Sequence, residues 1–105
     1  MSPAAASQNK SSVWAPNIFA GKVVLCTGGA GSICSVQVAA LVELGANAVI
    51  IGRRAANTSA RAAEIALLRP GARVLGLAAD VRDAAAMAGA VATTLAEFGR
   101  LDFVM

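Results

Sequence analysis

At 105 residues the chain has room for one domain built on one core. Hydrophobic residues make up 57% and aromatics 4%, which suits Val/Ile/Leu strands under alanine-rich helices, and no apolar run reaches the ~18 residues that a membrane span requires. The net charge of +3 is spread singly apart from Arg53-Arg54, with no aromatics interleaved, so it gives weak support to a nucleic-acid surface and is explained as well by affinity for a polyanionic small molecule; no nucleic-acid partner is expected.

Residues 1–12, rich in Ala and Ser with a lone Lys10, read as a flexible tail, neither a secretory signal nor an arginine-rich presequence. A short apolar lead-in, Val13 to Phe19, is broken by Pro16; Trp14 and Phe19 are expected to cover one end of a sheet. The first strand is predicted at Val23–Thr27. The spacing of Ile33, Val36, Ala40, Leu41 and Leu44 then predicts a helix over 32–44, which Gly45 ends as a C-cap.

The apolar run Ala48–Ile51 is the second strand. A helix over 59–68 follows, with Asn57, Thr58 or Ser59 as N-cap and Ala60, Ala63, Leu67 and Leu68 as its inner stripe; Pro70-Gly71 closes it. The third strand is placed at Arg73–Ala78. The third helix starts on Asp83 as N-cap, turns Met87, Val91, Leu95 and Phe98 to one face, and stops at Gly99. A fourth strand begins at Leu101 and is cut at Met105. Right-handed βαβ crossovers predict an α/β fold: a doubly wound parallel sheet of Rossmann type, strand order 3-2-1-4, of which residues 13–105 form the amino-terminal part.

The turn Thr27-Gly28-Gly29-Ala30-Gly31-Ser32-Ile33-Cys34 carries the clearest chemistry. It joins a strand to a helix, where glycines let the backbone approach a pyrophosphate and the free amides and positive end of the helix meet its charge. Phosphate binding at Gly28, Gly29, Ala30, Gly31, Ser32 and Ile33 is therefore expected over an ordinary βα turn. At the end of the second strand an NAD site usually carries a carboxylate for the ribose hydroxyls. Here stands Gly52-Arg53-Arg54, and a guanidinium at Arg53 would pair with a 2′-phosphate, which predicts NADPH. After the third strand, Asp80 either accepts from the adenine amino group, with Val81 against the ring, or simply ends the strand.

Cys26 and Cys34 lie eight apart in a chain without histidine, which fits neither a zinc spacing nor Cys-x-x-Cys; they read as small, reduced residues between sheet and helix. No metal site is expected. The chain has no tyrosine or histidine, and its lysines, Lys10 and Lys22, precede the first strand. No catalytic proton donor is therefore assigned within residues 1–105.

Thr27-Gly28, Asp80-Val81 and Gly99-Arg100-Leu101-Asp102 resemble the short-chain dehydrogenase/reductase family, whose turn reads Thr-Gly-x-x-x-Gly-x-Gly. The chain departs from that pattern at Ser32 and Cys34. A turn ending Ser-Ile-Cys, with the approach Trp14-x-Pro16-x-x-Phe19-x-Gly21-Lys22-Val23, is similar to the fungal peroxisomal 2,4-dienoyl-CoA reductases, over Val13 to Met105. The resemblance implies NADPH-dependent reduction of a 2,4-dienoyl-CoA to a 3-enoyl-CoA in peroxisomal β-oxidation of unsaturated fatty acids. It further implies an acyl-CoA substrate met by Arg82, Arg53 close to the CoA, and a homo-oligomer at full length. The family's Asn-x-Ala-Gly segment and proton-relay lysine are not in the chain. Two alternatives stay open: another short-chain reductase, such as one acting on 3-oxoacyl thioesters, and a non-catalytic nucleotide-binding truncation. An apolar fourth strand on an open edge predicts that the 105-residue chain by itself is poorly soluble or partly molten.

Overall fold

A computed structural model describes residues 18–28 and 32–105. The elements are β1 Val23–Thr27, α1 Ser32–Glu43, β2 Asn47–Gly52, α2 Ala55–Ala66, β3 Val74–Ala78, α3 Ala84–Phe98 and β4 Phe103–Val104. The four strands are parallel in the order β3-β2-β1-β4, which is the Rossmann-type arrangement predicted. The register aligns Thr27 with Ile51 and Gly52 with Ala78, so three strands end at one edge of the sheet. The chain steps outward from β1 to β3, then returns past β1 to β4. That reversal opens a crevice at the carboxyl edge beside β1.

β1 and β2 are apolar without alternation because both faces are covered: Val23–Cys26 and Ala48–Ile51 are all buried. Val24, Cys26, Ala48 and Ile50 meet Val38, Val42, Ala62 and Ile65 of α1 and α2. On the other face Leu25, Val49 and Ile51 pack with Ala90, Met87, Val91 and Phe98 of α3. Burying each of the larger aliphatic side chains contributes about 1.5–3 kcal/mol, so these two strands anchor the domain.

The helix faces differ in part from expectation. In α1, Val38, Ala39 and Val42 are buried, Leu41 packs against the core and Leu44 is buried, but Val36 is 57% exposed and Ala40 half-buried. Val36, Val38, Ala39, Ala40, Leu41 and Val42 are all apolar, so helical spacing fits more than one stripe. In α2 the buried residues are Thr58, Ala62 and Ile65, with Leu68 packed beside them, whereas Ala60, Ala63 and Leu67 are exposed. The helix also begins at Ala55, earlier than Ser59, and its N-cap Arg54 makes no side-chain cap bond. Thr58 is inside the helix rather than at its start, with Oγ1 donating to the Arg54 carbonyl at 2.7 Å. Its orientation is set at Gly76 of β3, where a Cβ would lie 2.8 Å from the Thr58 carbonyl oxygen. Glycine allows that approach, and it turns the Thr58–Ala62–Ile65 stripe inward.

α3 starts and stops as expected. The Asp83 carboxylate accepts from the amides of Ala85 and Ala86 at 3.0 and 3.1 Å, and Gly99 takes φ 76° at the other end. Met87, Val91 and Phe98 turn toward the sheet; Leu95 is 47% exposed, and Ala90 and Thr94 hold the innermost places instead. Gly45 ends α1 at φ 113°, and a Cβ there would lie 2.8 Å from the Ala20 amide. Against that corner Phe19 donates its amide to Leu44 and sets its ring edge-on to Phe103, 5.8 Å between centroids. Phe19 thus covers the amino-terminal end beside β4; Trp14 and the tail lie outside the described residues. Asp102 locks β4 to β1, accepting from the Val23 amide at 2.8 Å while Arg100 forks onto both its oxygens at 2.8 and 2.7 Å. Among the described residues no helix is long and apolar enough to cross a membrane.

Candidate functional site

A cavity of about 550 Å³ opens at the carboxyl edge of β1, β2 and β3. Thr27 and Gly28 form one side. Ile51 and Gly52 form the floor, and Ala79 and Val81 continue it from the end of β3. The remaining side is cationic and polar: Arg53 and Arg54 leave β2, and Asn57 and Thr58 stand on the first turn of α2. Arg53 and Arg54 are the charged residues among this lining, and both are exposed. A flat, weakly polar group could rest on the floor while an anion attached to it met the guanidinium groups.

Gly28 explains why the turn needs glycine. Its φ is 71°, and its amide donates to the Ile51 carbonyl at 2.8 Å, fastening the turn to the end of β2. Thr27, just before it, donates its hydroxyl to the Met105 carbonyl at 3.0 Å, joining the turn to the strand on the other side. Gly29, Ala30 and Gly31 lie outside the described residues. Ser32 and Ile33 are described as the first two residues of α1, by their backbone alone.

Of the remaining sequence-derived residues, Arg53 and Val81 line the cavity together with Gly28, whereas Asp80 and Arg82 stand beside it and engage each other. The Arg82 guanidinium reaches Asp80 Oδ1 at 3.1 Å and Oδ2 at 2.9 Å, and the Arg82 amide donates to Oδ1 at 2.9 Å. This fork, with Arg53 nearby, holds the Asp80 carboxyl below the usual carboxylate range. Asp80 is therefore a fixed anion within the field of Arg53. One position on Oδ2 remains available to a further donor.

Arg54, Asn57 and Thr58 also line the cavity. Arg54 adjoins Arg53 in the sequence, whereas a helix starting at Ser59 makes Asn57 and Thr58 caps. A start at Ala55 would have placed both one turn beyond the arginines, facing the same ligand. The described lining offers guanidinium, amide and hydroxyl groups beside apolar ones, a surface suited to binding and orienting a ligand. A glycine turn, an apolar floor and two guanidinium groups thus meet in one cavity.

Comparison with known proteins places the sequence and the sheet in a family. Residues 22–105 match the family model for short chain dehydrogenases. The chain is 45% identical over 94 residues to the peroxisomal 2,4-dienoyl-CoA reductase, (3E)-enoyl-CoA-producing, of Saccharomyces cerevisiae, covering 88% of this chain and 32% of that protein. It thus spans about a third of that relative's length. Among solved structures, citronellol catabolism dehydrogenase of Pseudomonas aeruginosa superposes with a TM-score of 0.79 at 33% identity, covering 88% of this chain and 38% of that one. The 3-ketoacyl-(acyl-carrier-protein) reductase of Brucella melitensis, complexed with NADH, gives 0.73 at 31% identity, covering 82% and 34%. The NADPH-dependent 3-quinuclidinone reductase of Rhodotorula rubra gives 0.75 at 32% identity, covering 84% and 34%. By its parallel sheet and by the match over residues 22–105, the chain belongs to the short-chain dehydrogenase family of nicotinamide-dependent oxidoreductases.

Proposed function

We propose that this chain is the amino-terminal, cofactor-holding part of an NADPH-dependent 2,4-dienoyl-CoA reductase. The carrying observation is the cavity at the end of β2, whose charged lining is Arg53 and Arg54 with no carboxylate among the described lining residues. An arginine fork matches a 2′-phosphate, whereas the two free ribose hydroxyls of NADH call for an acceptor. The diphosphate is assigned to the backbone of Gly28, Gly29, Ala30, Gly31, Ser32 and Ile33. The 2′-phosphate goes to Arg53, and the adenine to Val81 with Asp80 at its amino group.

NADPH, when bound, supplies the hydride for reducing the conjugated diene of the thioester. Residues 18–105 grip and orient the adenosine end. Gly28 brings the backbone to the phosphates, Ile51 and Val81 exclude water from the base, and Arg53 answers the extra charge. Arg82 is assigned to the CoA part of the substrate. It would meet that phosphate-rich group while remaining anchored on Asp80, or exchange one partner for the other. No donor for the proton that completes the reduction is assigned within residues 18–105, and the chain by itself is expected to bind NADPH without turnover. The similarity to the yeast enzyme supports the substrate and a peroxisomal location; a homo-oligomer is proposed for the full-length protein.

A second reading, a reductase of 3-oxoacyl thioesters, draws on the likeness to the Brucella enzyme. One experiment separates the two. The full-length protein is mixed with NADPH and either a 2,4-dienoyl-CoA or a 3-oxoacyl-CoA, and NADPH oxidation is followed by absorbance. Turnover of the dienoyl thioester with a 3-enoyl product supports the proposal. Turnover confined to the 3-oxoacyl thioester refutes it.

A further inference from the structure

The two cysteines are not used by the cofactor reading, yet the fold brings them together. Cys26 is on β1 and shares the α1-facing side of the sheet with Val24, among Val38 and Val42. Cys34 is on the first turn of α1 and packs against that same cluster. Position 34 is also where the dinucleotide fingerprint places its last glycine, the point of close packing between helix and strand. A side chain added there must project onto β1. Its Sγ lies 3.9 Å from where a Cβ on Gly28 would stand, two residues beyond Cys26, whose own thiol donates to the Thr27 carbonyl at 3.6 Å.

Both cysteines are free, Cys26 buried and Cys34 half-buried. One thiol is therefore open to a small solute while the other waits behind it. Between them run residues 27–33, the glycine turn itself. We propose that Cys26 and Cys34 form a dithiol modification site, which a hydroperoxide converts into an intramolecular disulfide closing the glycine turn into a loop.

In the first step the Cys34 sulfur, its proton lost, attacks the hydroperoxide. An S–O bond forms, the O–O bond breaks, and the departing oxygen leaves as water or an alcohol with that proton. Cys34 is then a sulfenic acid. The Cys26 sulfur attacks it, an S–S bond forms, the S–O bond breaks, and the hydroxide takes the Cys26 proton as water. In sum, two thiols are oxidised by two electrons and one hydroperoxide is reduced. Burial, with the Cys34 thiol adding to it, pushes Cys26 up to about 11. It stays protonated at neutrality, as the second rather than the first thiol to react.

Hydrogen peroxide at low excess over the full-length protein tests the site, followed by blocking of free thiols and tryptic mapping without reductant. Cleavage after Lys22 and Arg53 places both cysteines on one peptide, residues 23–53. The proposal expects that peptide to lose two hydrogens, take up no blocking group, and recover two thiols on treatment with dithiothreitol. Cys26→Ala should instead stop at the sulfenic or sulfinic acid of Cys34, and Cys34→Ala should leave the Cys26 thiol unmodified. Persistence of both thiols, sulfinic acid on Cys34 beside an intact Cys26, or two such peptides joined between molecules would overturn it. Mapping the unsubstituted protein decides the matter even where a variant fails to fold.

Discussion

Arg53→Asp is the sharpest perturbation of the cofactor reading, because it reverses one charge in a cavity whose described charged lining is otherwise Arg54. A charge-assisted bond between arginine and phosphate contributes about 1.5–3 kcal/mol, and the exposure of Arg53 argues for the low end. A carboxylate in its place adds repulsion of about 1 kcal/mol against a phosphate at ~4 Å in a water-like medium. The two terms give about 2.5 kcal/mol, or roughly 70-fold weaker binding of NADPH. Arg54 remains, so the site keeps one positive charge. NADH lacks the 2′-phosphate and should bind the variant within about threefold of the unsubstituted protein, a change under ~1 kcal/mol. Calorimetric or fluorescence titration of both nucleotides against the full-length protein measures this. Equal affinity for NADH and NADPH before substitution, or an equal loss for both afterwards, would refute the assignment of Arg53.

Gly76→Ala places a Cβ 2.8 Å from the Thr58 carbonyl oxygen, a backbone clash that should cost about 1–3 kcal/mol and lower the melting temperature of the full-length protein. Calorimetry with an unchanged midpoint would count against direct contact of α2 with β3 at that glycine. Asp102 predicts an acid limb. Arg100 foremost, and then the Val23 amide, hold its carboxyl below the usual carboxylate range. A depressed folded-state pKa stabilises the fold fully above the unfolded value and loses that contribution as pH falls below it. Urea unfolding of the full-length protein should therefore show a decline below pH 3.8 that is reduced in Asp102→Asn; identical pH profiles would contradict the Asp102 account. Phe103 and Val104 expose apolar side chains on the outer strand. Val104→Lys should raise the monomer fraction of the 105-residue chain in sedimentation, and no change would point to association through another face.

The sheet was legible because β1, β2 and β3 are short apolar runs followed by glycine or charge, and because the crossovers leave one hand of winding. Asp83 and Gly99 marked the ends of α3 for an equally local reason, a side-chain cap and a left-handed C-cap. What escaped was rotation about the helix axes. Alanines and valines surround α1, so Val36 and Val38 looked alike until α1 docked and exposed the first while burying the second. In α2 the decisive contact is between a glycine of β3 and a carbonyl of the helix, which no side-chain pattern records. The same early start of α2 hid Asn57 and Thr58 from the site. Gly28 and the two arginines, by contrast, stood out through backbone freedom and formal charge, which are properties of residue type alone, and all three line the cavity.

A crystal structure of the full-length protein with NADPH tests the central claim most directly. The account predicts the diphosphate over the backbone of residues 28–33 and the 2′-phosphate in contact with the Arg53 guanidinium. A diphosphate bound away from that turn, or a 2′-phosphate facing solvent with Arg53 turned aside, would contradict it.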